Sequence, residues 1–428
     1  MASYAIDKRP TKRTMKKVLL LAGLFAITAA TQAAPVKNAE LKPGTWKGVI
    51  QRPDGEQIVF NFEVKPVNGK KVLYVLNASE RLLVDDIRQQ GDSLWISMPF
   101  FDAHFATVIK SNGSLEGKYI KISGERRFEI PFFALPGNKE RYPISPKTKY
   151  KVTGRWDVTF GEGKDASKAV GEFQQGANGK VTGTFLTPTG DYRYLEGGIE
   201  KDTLRLSAFD GSHVYLFKAK LDNDSTITQA TFFAGGAGKE AWVANKDANA
   251  KLPDGFAAVK LRPGESKLNF RFPATTGEQI GIADDRFKNK VVVIQILGSW
   301  CPNCMDETKF LVDYYKKNKQ RGVEVVGLAY ERSTDFEKSK TALATFQKRL
   351  GVNYPFLVTT AAVSDPKRTE KTLPQIEPLQ GFPTTIFIDK KGNVRKIHTG
   401  YDGPATGQHH EEFKKEFEGL INELLTEE

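Results

Sequence analysis

The chain is poor in the residues that build covalent staples and metal centres: its 428 residues include two cysteines and five histidines. Two cysteines allow one bridge at most, so the disulfide framework that holds many small secreted folds together is excluded. They stand at Cys301 and Cys304, where a bridge would close a loop of two residues and constrain the unfolded chain very little. A zinc centre needs about four ligands, and His104, His213, His398, His409 and His410 offer no second chelating pair at the usual spacing. Covalent haem attachment requires His directly after the second cysteine, a position held by Met305. No metal and no dissociable cofactor is expected.

Clustered charge is also missing. Lysine and arginine exceed aspartate and glutamate by 63 to 51, giving a net charge of +12. The basic residues are nevertheless scattered among acidic ones, without the basic and aromatic interleaving of a nucleic-acid surface. Nucleic acid is therefore not an expected partner.

Long apolar runs are missing too, with one exception near the N-terminus. Lys16-Lys17, the run Val18 to Ile27 and then Thr31-Gln32-Ala33 read as a charged segment, an apolar core and a small-x-small cleavage site. We expect an export signal over residues 1–33, with residues 1–14 an upstream-start artefact ahead of Met15. The apolar core is shorter than the roughly twenty residues of a spanning helix, so membrane association is expected only of an uncleaved signal. Cleavage removes six basic residues against Asp7, lowering the net charge by five, from +12 to +7. The expected location is the periplasm or cell envelope. There the absence of any cysteine beyond the pair leaves no structural thiol to mispair with a reactive one.

Between about residues 41 and 245, short alternating runs such as Gln57 to Lys65 and Val72 to Leu76 are broken by Gly, Asp and Asn. This period-two pattern predicts antiparallel sheet, as a sandwich or barrel. The region also contains itself twice. Gly44-Thr45-Trp46 recurs as Gly154-Arg155-Trp156, and Asp92-Ser93-Leu94 as Asp202-Thr203-Leu204, both at an offset of 110 residues. We expect β-rich repeats over 41–143 and 150–245, joined near Ser145-Pro146-Lys147-Thr148 and followed by a polar linker over 246–265. The Gly-x-Trp openings resemble the first strand of lipocalin-like barrels, in which an aromatic plugs one end. A ligand cup, a docking surface for proteins and a spacer are all open roles.

Over 266–428 the period changes. Strand-like Val291 to Leu297, Val323 to Tyr330 and Phe356 to Thr359 alternate with helical Met305 to Lys317 and Thr334 to Leu350, an order that implies parallel strands joined by crossover helices. A strand ending Ile386-Phe387-Ile388-Asp389, a turn, a strand Val394 to Thr399 and a helix of roughly residues 409 to 426 complete a thioredoxin-like α/β layout. The expected fold is thus multi-domain: a duplicated antiparallel β-unit followed by an α/β thioredoxin-like domain.

The chemistry sits at the first βα turn of that domain. Val291 to Leu297 feeds through Gly298-Ser299-Trp300 into Cys301-Pro302-Asn303-Cys304 and a helix. The first sulfur then lies at a helix N-terminus, where unpaired N–H groups and the dipole favour a thiolate. Two intervening residues put both sulfurs on one turn, within reach of a disulfide. Such a pair can cycle between dithiol and disulfide.

Cys-x-x-Cys on a βα turn, the strand Pro383-Thr384-Thr385-Ile386-Phe387-Ile388-Asp389 about eighty residues later and the hairpin Lys390 to Asn393 together resemble the TlpA/ResA-like branch of exported thiol-disulfide oxidoreductases. The resemblance covers residues 266–428. It implies a redox-active Cys301–Cys304 disulfide, with Cys301 attacking a substrate disulfide and Cys304 resolving the mixed disulfide. It further implies protein disulfide substrates, reduction rather than oxidation, and a membrane thiol electron donor. Pro383 would be a cis-proline facing the disulfide, the backbone at Phe382 would pair with an extended substrate, and Trp300 would shield the pair and contact the docking polypeptide. Glu307 stands where the family carries an acid that reaches towards the cysteines, a candidate for proton transfer at the second thiol. The bland alternatives stay open: Pro383 trans in a loop, Trp300 a core aromatic, Glu307 a solvated carboxylate favoured by the helix dipole. Three positions depart from pattern: Gln295 replaces the buried acid of thioredoxin, Thr308 the family's usual Pro, and Pro302-Asn303 the Gly-Pro of thioredoxin.

Two other functions compete. A peroxiredoxin-like peroxidase shares the fold but needs Thr-x-x-Cys and a supporting Arg, and Gly298 occupies that Thr position. Alternatively the β-half is the working part, binding an envelope ligand or protein, with the thioredoxin-like domain as an accessory. That reading predicts that Cys301→Ser and Cys304→Ser leave the main phenotype intact.

Overall fold

Alternating burial along short strands rolls the first half of the chain into two antiparallel barrels. The computed structural model describes residues 39–427 apart from 253, 254, 256 and 257, and the export-signal reading of residues 1–33 lies outside them. The first barrel is a meander of Gly44–Gln51, Gln57–Val67, Lys70–Asn77, Glu80–Val84, Asp86–Gln90, Ser93–Ser97, Ala103–Ile109, Leu115–Ser123 and Arg126–Pro136, the last pairing back onto the first. Asp85 alone separates the fourth strand from the fifth. One pairs with its predecessor through Leu73↔Val84 and the other with its successor through Asp86↔Ser97, so a single bent strand closes the ring. The second barrel runs from Gly154–Phe160 to Gly238–Lys246 and closes through continuous pairing.

The closing registers are the same. Trp46↔Pro136 and Ile50↔Phe132 in the first barrel correspond, 110 residues on, to Trp156↔Lys246 and Phe160↔Trp242 in the second. Each opening tryptophan is fully buried and donates its indole N–H to the carbonyl four residues earlier, Trp46 to Lys42 at 3.0 Å and Trp156 to Val152 at 2.9 Å. Both interiors are filled by rings rather than left open. Phe60, Phe62, Phe105 and Phe132 fill the first, and Phe160, Phe185, Phe217 and Trp242 the second.

The barrels share a seam. Phe209, on a strand of the second barrel, inserts into the first barrel's core and stacks on Phe60 at 4.3 Å. Full burial of one such ring contributes about 1.5–3 kcal/mol. Arg141, in the join, donates to Ser207 O on one barrel and Leu76 O on the other, and Tyr142 bonds both Val59 N and Gln57 O. The join is thus built into the interface.

The C-terminal body is a five-stranded sheet in the order Phe356–Val358, Val323–Ala329, Val291–Leu297, Thr384–Ile388, Val394–Thr399. All seven residues of its central strand are buried, as expected of a strand covered on both faces. Four helices flank it: α1 (Pro302–Asn318), α2 (Phe336–Leu350), α3 (Arg368–Thr372) and α4 (Gln408–Thr426). Asp335 caps α2 by accepting from Lys338 N, and Gly351, at φ 67°, ends it with a Schellman turn from Val352 N to Gln347 O. Short α3 lies between the Phe356–Val358 and Thr384–Ile388 strands. Val259 is already buried in this body's core, and Leu261 bridges to Ile376. Among the described residues no helix is long and apolar enough to cross a membrane.

Candidate functional site

Cys301 is the N-cap of α1, with Pro302 at the first helical position, where a missing N–H costs nothing. Its Sγ accepts from Cys304 N at 3.2 Å and lies 3.7 Å from Phe382 O. The Phe382–Pro383 peptide is cis. Cys301 retains 5% exposure and Cys304 none. Burial, then the hydrogen bond and charge of Cys301, push the Cys304 thiol well above the usual range, and the Glu307 charge adds to this.

Glu307 lies beneath the pair. The register Gln295↔Thr385 across the central strands puts two polar side chains on the sheet face that meets α1. Gln295 Nε2 donates to Glu307 Oε2 at 2.7 Å, and Thr385 Oγ1 donates to Glu307 Oε1. Gln295 also donates to Cys304 O and accepts from Thr308 Oγ1 at 2.9 Å. Thr308, which stands where Pro was expected, adds a bond to Cys304 O at 2.7 Å. Glu307 is 1% exposed, and burial, only partly offset by its two donors, raises its pKa to about 7. It is therefore placed as a buried carboxyl one turn from the second thiol and not as a solvated one. Gln295, in the position of thioredoxin's buried acid, holds Glu307.

Trp300 is half-buried and packs edge-on against Phe382 at 5.4 Å, its indole N–H bonded to Tyr330 O at 2.9 Å. A Cβ at Gly298 would come within 2.2 Å of the Trp300 indole nitrogen. A threonine at that position would require the Trp300 ring to shift.

The sequence carries no local signal for what faces the thiol. Cys301, Pro302, Asn303, Trp300 and Phe382 open onto a cleft of about 920 Å³ whose other walls come from Arg332 and from both barrels. Asn303 Nδ2 donates to Asp191 O at 3.0 Å, and Gly403 N donates to Asp191 Oδ2 at 2.8 Å. Arg193 clamps α1 from the second barrel: it bonds Asp306 Oδ2 at 2.8 Å, Asp210 Oδ2 at 2.7 Å and Glu80 Oε1 of the first barrel at 2.5 Å. Burial works against the guanidinium charge, but Asp306, Glu80 and Asp210 outweigh it and hold Arg193 charged. Asp191 is raised to about 7 by burial, with Asp306 adding to the effect. These residues escape sequence reasoning because Arg193 and Asp306 lie 113 positions apart and no motif contains either.

Comparison with known proteins finds matches to the C-terminal part of the chain. The family model described as Redoxin matches residues 262–413. Thiol-disulfide oxidoreductase ResA of Bacillus subtilis (strain 168) is 33% identical over 140 residues, covering 33% of this chain and 69% of that protein. ResA of Bacillus cereus (strain ATCC 10987 / NRS 248) is 29% identical over 156 residues, 36% of this chain and 79% of that protein. A thiol:disulfide interchange protein of the thioredoxin family from Chlorobium tepidum TLS has a solved structure with 22% identity and a TM-score of 0.29, covering 39% of this chain and 99% of that one.

Proposed function

Since the chain belongs, through its C-terminal part, to the ResA family of thiol-disulfide oxidoreductases, we propose that it reduces protein disulfides outside the cytoplasm by a Cys301/Cys304 dithiol cycle. The observation that carries this reading is the Cys301 sulfur at the α1 N-terminus, accepting Cys304 N–H, above a buried carboxyl.

The steps follow from the positions. Cys301 thiolate attacks one sulfur of a substrate disulfide, forming a mixed disulfide and releasing the other sulfur as thiolate. Cys304, whose proton is held tightly, passes it to Glu307, attacks Cys301 Sγ and expels the second substrate thiolate. Two electrons pass to the substrate and the protein is left as the Cys301–Cys304 disulfide. An external dithiol, a membrane thiol donor by analogy with the family, returns the electrons. Phe382 O and Pro383 form the edge along which an extended substrate pairs, and Trp300 covers one side of the sulfur. Residues 1–33 would deliver the protein to the cell envelope. No dissociable cofactor enters the cycle.

The test is trapping. Cys304→Ser should accumulate a mixed disulfide with a disulfide-bonded polypeptide, and Cys301→Ser should abolish both trapping and turnover. Unchanged turnover in Cys301→Ser would refute the reading and return the function to the barrels.

A further inference from the structure

The cleft is also lined by two cations that form no ion pair among the described residues. Lys121, from the Leu115–Ser123 strand of the first barrel, donates to Ser212 O at 2.7 Å, and Ser212 Oγ donates to Trp300 O at 3.4 Å. Arg332, just beyond the Val323–Ala329 strand, lies 5.2 Å over the Trp300 ring and donates to Ser123 Oγ. The two cations therefore bracket the residue next to Cys301. Both are half-buried and both line the cleft.

Neither cation forms an ion pair among the described residues, although carboxylates are close by. Asp210 is taken by Arg193 and His213, Glu331 accepts Ser299 N and Oγ, and Glu129 pairs with Lys118 and Arg127. Burial lowers the pKa of Lys121, opposed by Asp210 and reinforced by Arg332; burial also lowers that of Arg332, opposed by Glu331 and by Cys301. Two desolvated, unpaired cations in one cleft leave an attraction that an incoming anion can satisfy.

We propose that Lys121 and Arg332 form a carboxylate-binding site that selects acidic peptide segments, placing a carboxylate of the substrate beside the disulfide that Cys301 attacks. The inference rests on the exchange chemistry proposed above. The occupant is a peptide because the same cleft is lined by Phe128, an apolar ring 47% exposed on the Arg126–Pro136 strand, and by Tyr215 of the second barrel. These surfaces offer contacts for the peptide's neighbouring side chains. The chain's positive net charge works in the same direction, raising the local concentration of anionic substrates.

The direct probe is alkylation of reduced full-length protein with iodoacetate, an anion, and iodoacetamide, its neutral analogue. Both reagents consume the same thiolate, so their rate ratio cancels the thiolate fraction. The ratio should be about tenfold higher in the native protein than in Lys121→Gln or Arg332→Gln, and should fall towards theirs at about 1 M salt. Lys121→Arg and Arg332→Lys should keep it, which separates charge from packing. An equal ratio in native and Gln proteins overturns the proposal. In turnover, disulfide peptides with Asp beside the cysteine should react about tenfold faster than Lys counterparts at low salt, and faster than glutathione disulfide. A preference for glutathione disulfide overturns the peptide assignment. If the alkylation preference is present but no disulfide is reduced, the exchange reading fails and the anion site stands. If disulfides are reduced without charge preference, the site fails and the exchange reading stands.

Discussion

The two barrels share a fold, a closing register and a buried tryptophan plug, yet they meet the C-terminal body through different side chains. The second barrel sends Arg193, 3% exposed, across to Asp306 on α1. At the same offset, 110 residues earlier, the first barrel has Leu83, 41% exposed. The first barrel instead contributes Glu80 to the Arg193 cluster and Lys121 to the cleft. Rings that fill a barrel are interchangeable as long as volume and register are kept. Side chains that leave it are free to take separate tasks: Arg193 of the second barrel fixes the helix that carries the thiols, while Lys121 of the first lines the cleft into which Cys301 opens.

The comparison breaks first at Arg193. Arg193→Leu gives the second barrel the first barrel's residue and strands Asp306, Asp210 and Glu80 near one another. Removing one partner from a buried ion cluster costs about 3–5 kcal/mol. The urea midpoint should fall accordingly, and an unchanged midpoint would show that the clamp carries no stability.

Next in size is Glu307→Gln, which contrasts the thiol-bearing body with the barrels that carry no thiol. Resolution of the mixed disulfide should slow about 10²-fold, the loss typical of a missing general base, and single-turnover release of substrate thiol measures it. Stability should move the other way. Native Glu307, with a pKa raised from 4.5 to about 7, keeps a proton that the unfolded chain releases earlier. Its contribution is therefore present in full below about 4.5, declines as pH rises and is gone above about 7. At pH 8 the Gln variant should be more stable by up to about 3 kcal/mol, with the gap closing by pH 4. Thermal melts at the two pH values that show no such convergence would remove the buried-carboxyl account.

The smallest effect is the mirror substitution Leu83→Arg. On an exposed strand position it should change stability by no more than about 0.5 kcal/mol. A larger loss in the same urea titration would mean that Leu83 is part of an interface.

What was legible in the sequence is local. Strand periodicity, the repeated Gly-x-Trp and the Cys-x-x-Cys turn are each carried by a few neighbouring residues, and they led to the barrels and the α/β body. The pattern did not separate barrel from sandwich, because both alternate with period two; closure depends on Gly44–Gln51 meeting Arg126–Pro136. Glu307 was legible as a candidate, but its burial follows from the register that brings Gln295 opposite Thr385. Arg193, Asp191, Lys121 and Arg332 were not legible at all. They reach the surroundings of the thiols from other elements by tertiary packing, and as isolated residues they resemble any charged side chain on a strand or loop.

The central claim is that Cys301 and Cys304 form a reducing dithiol, and the equilibrium reduction potential of the pair in the full chain tests it most directly. Titration in dithiothreitol or glutathione buffers should give a value near about −270 mV, in the range of thioredoxin. A value near about −120 mV would make the pair an oxidant and contradict the account.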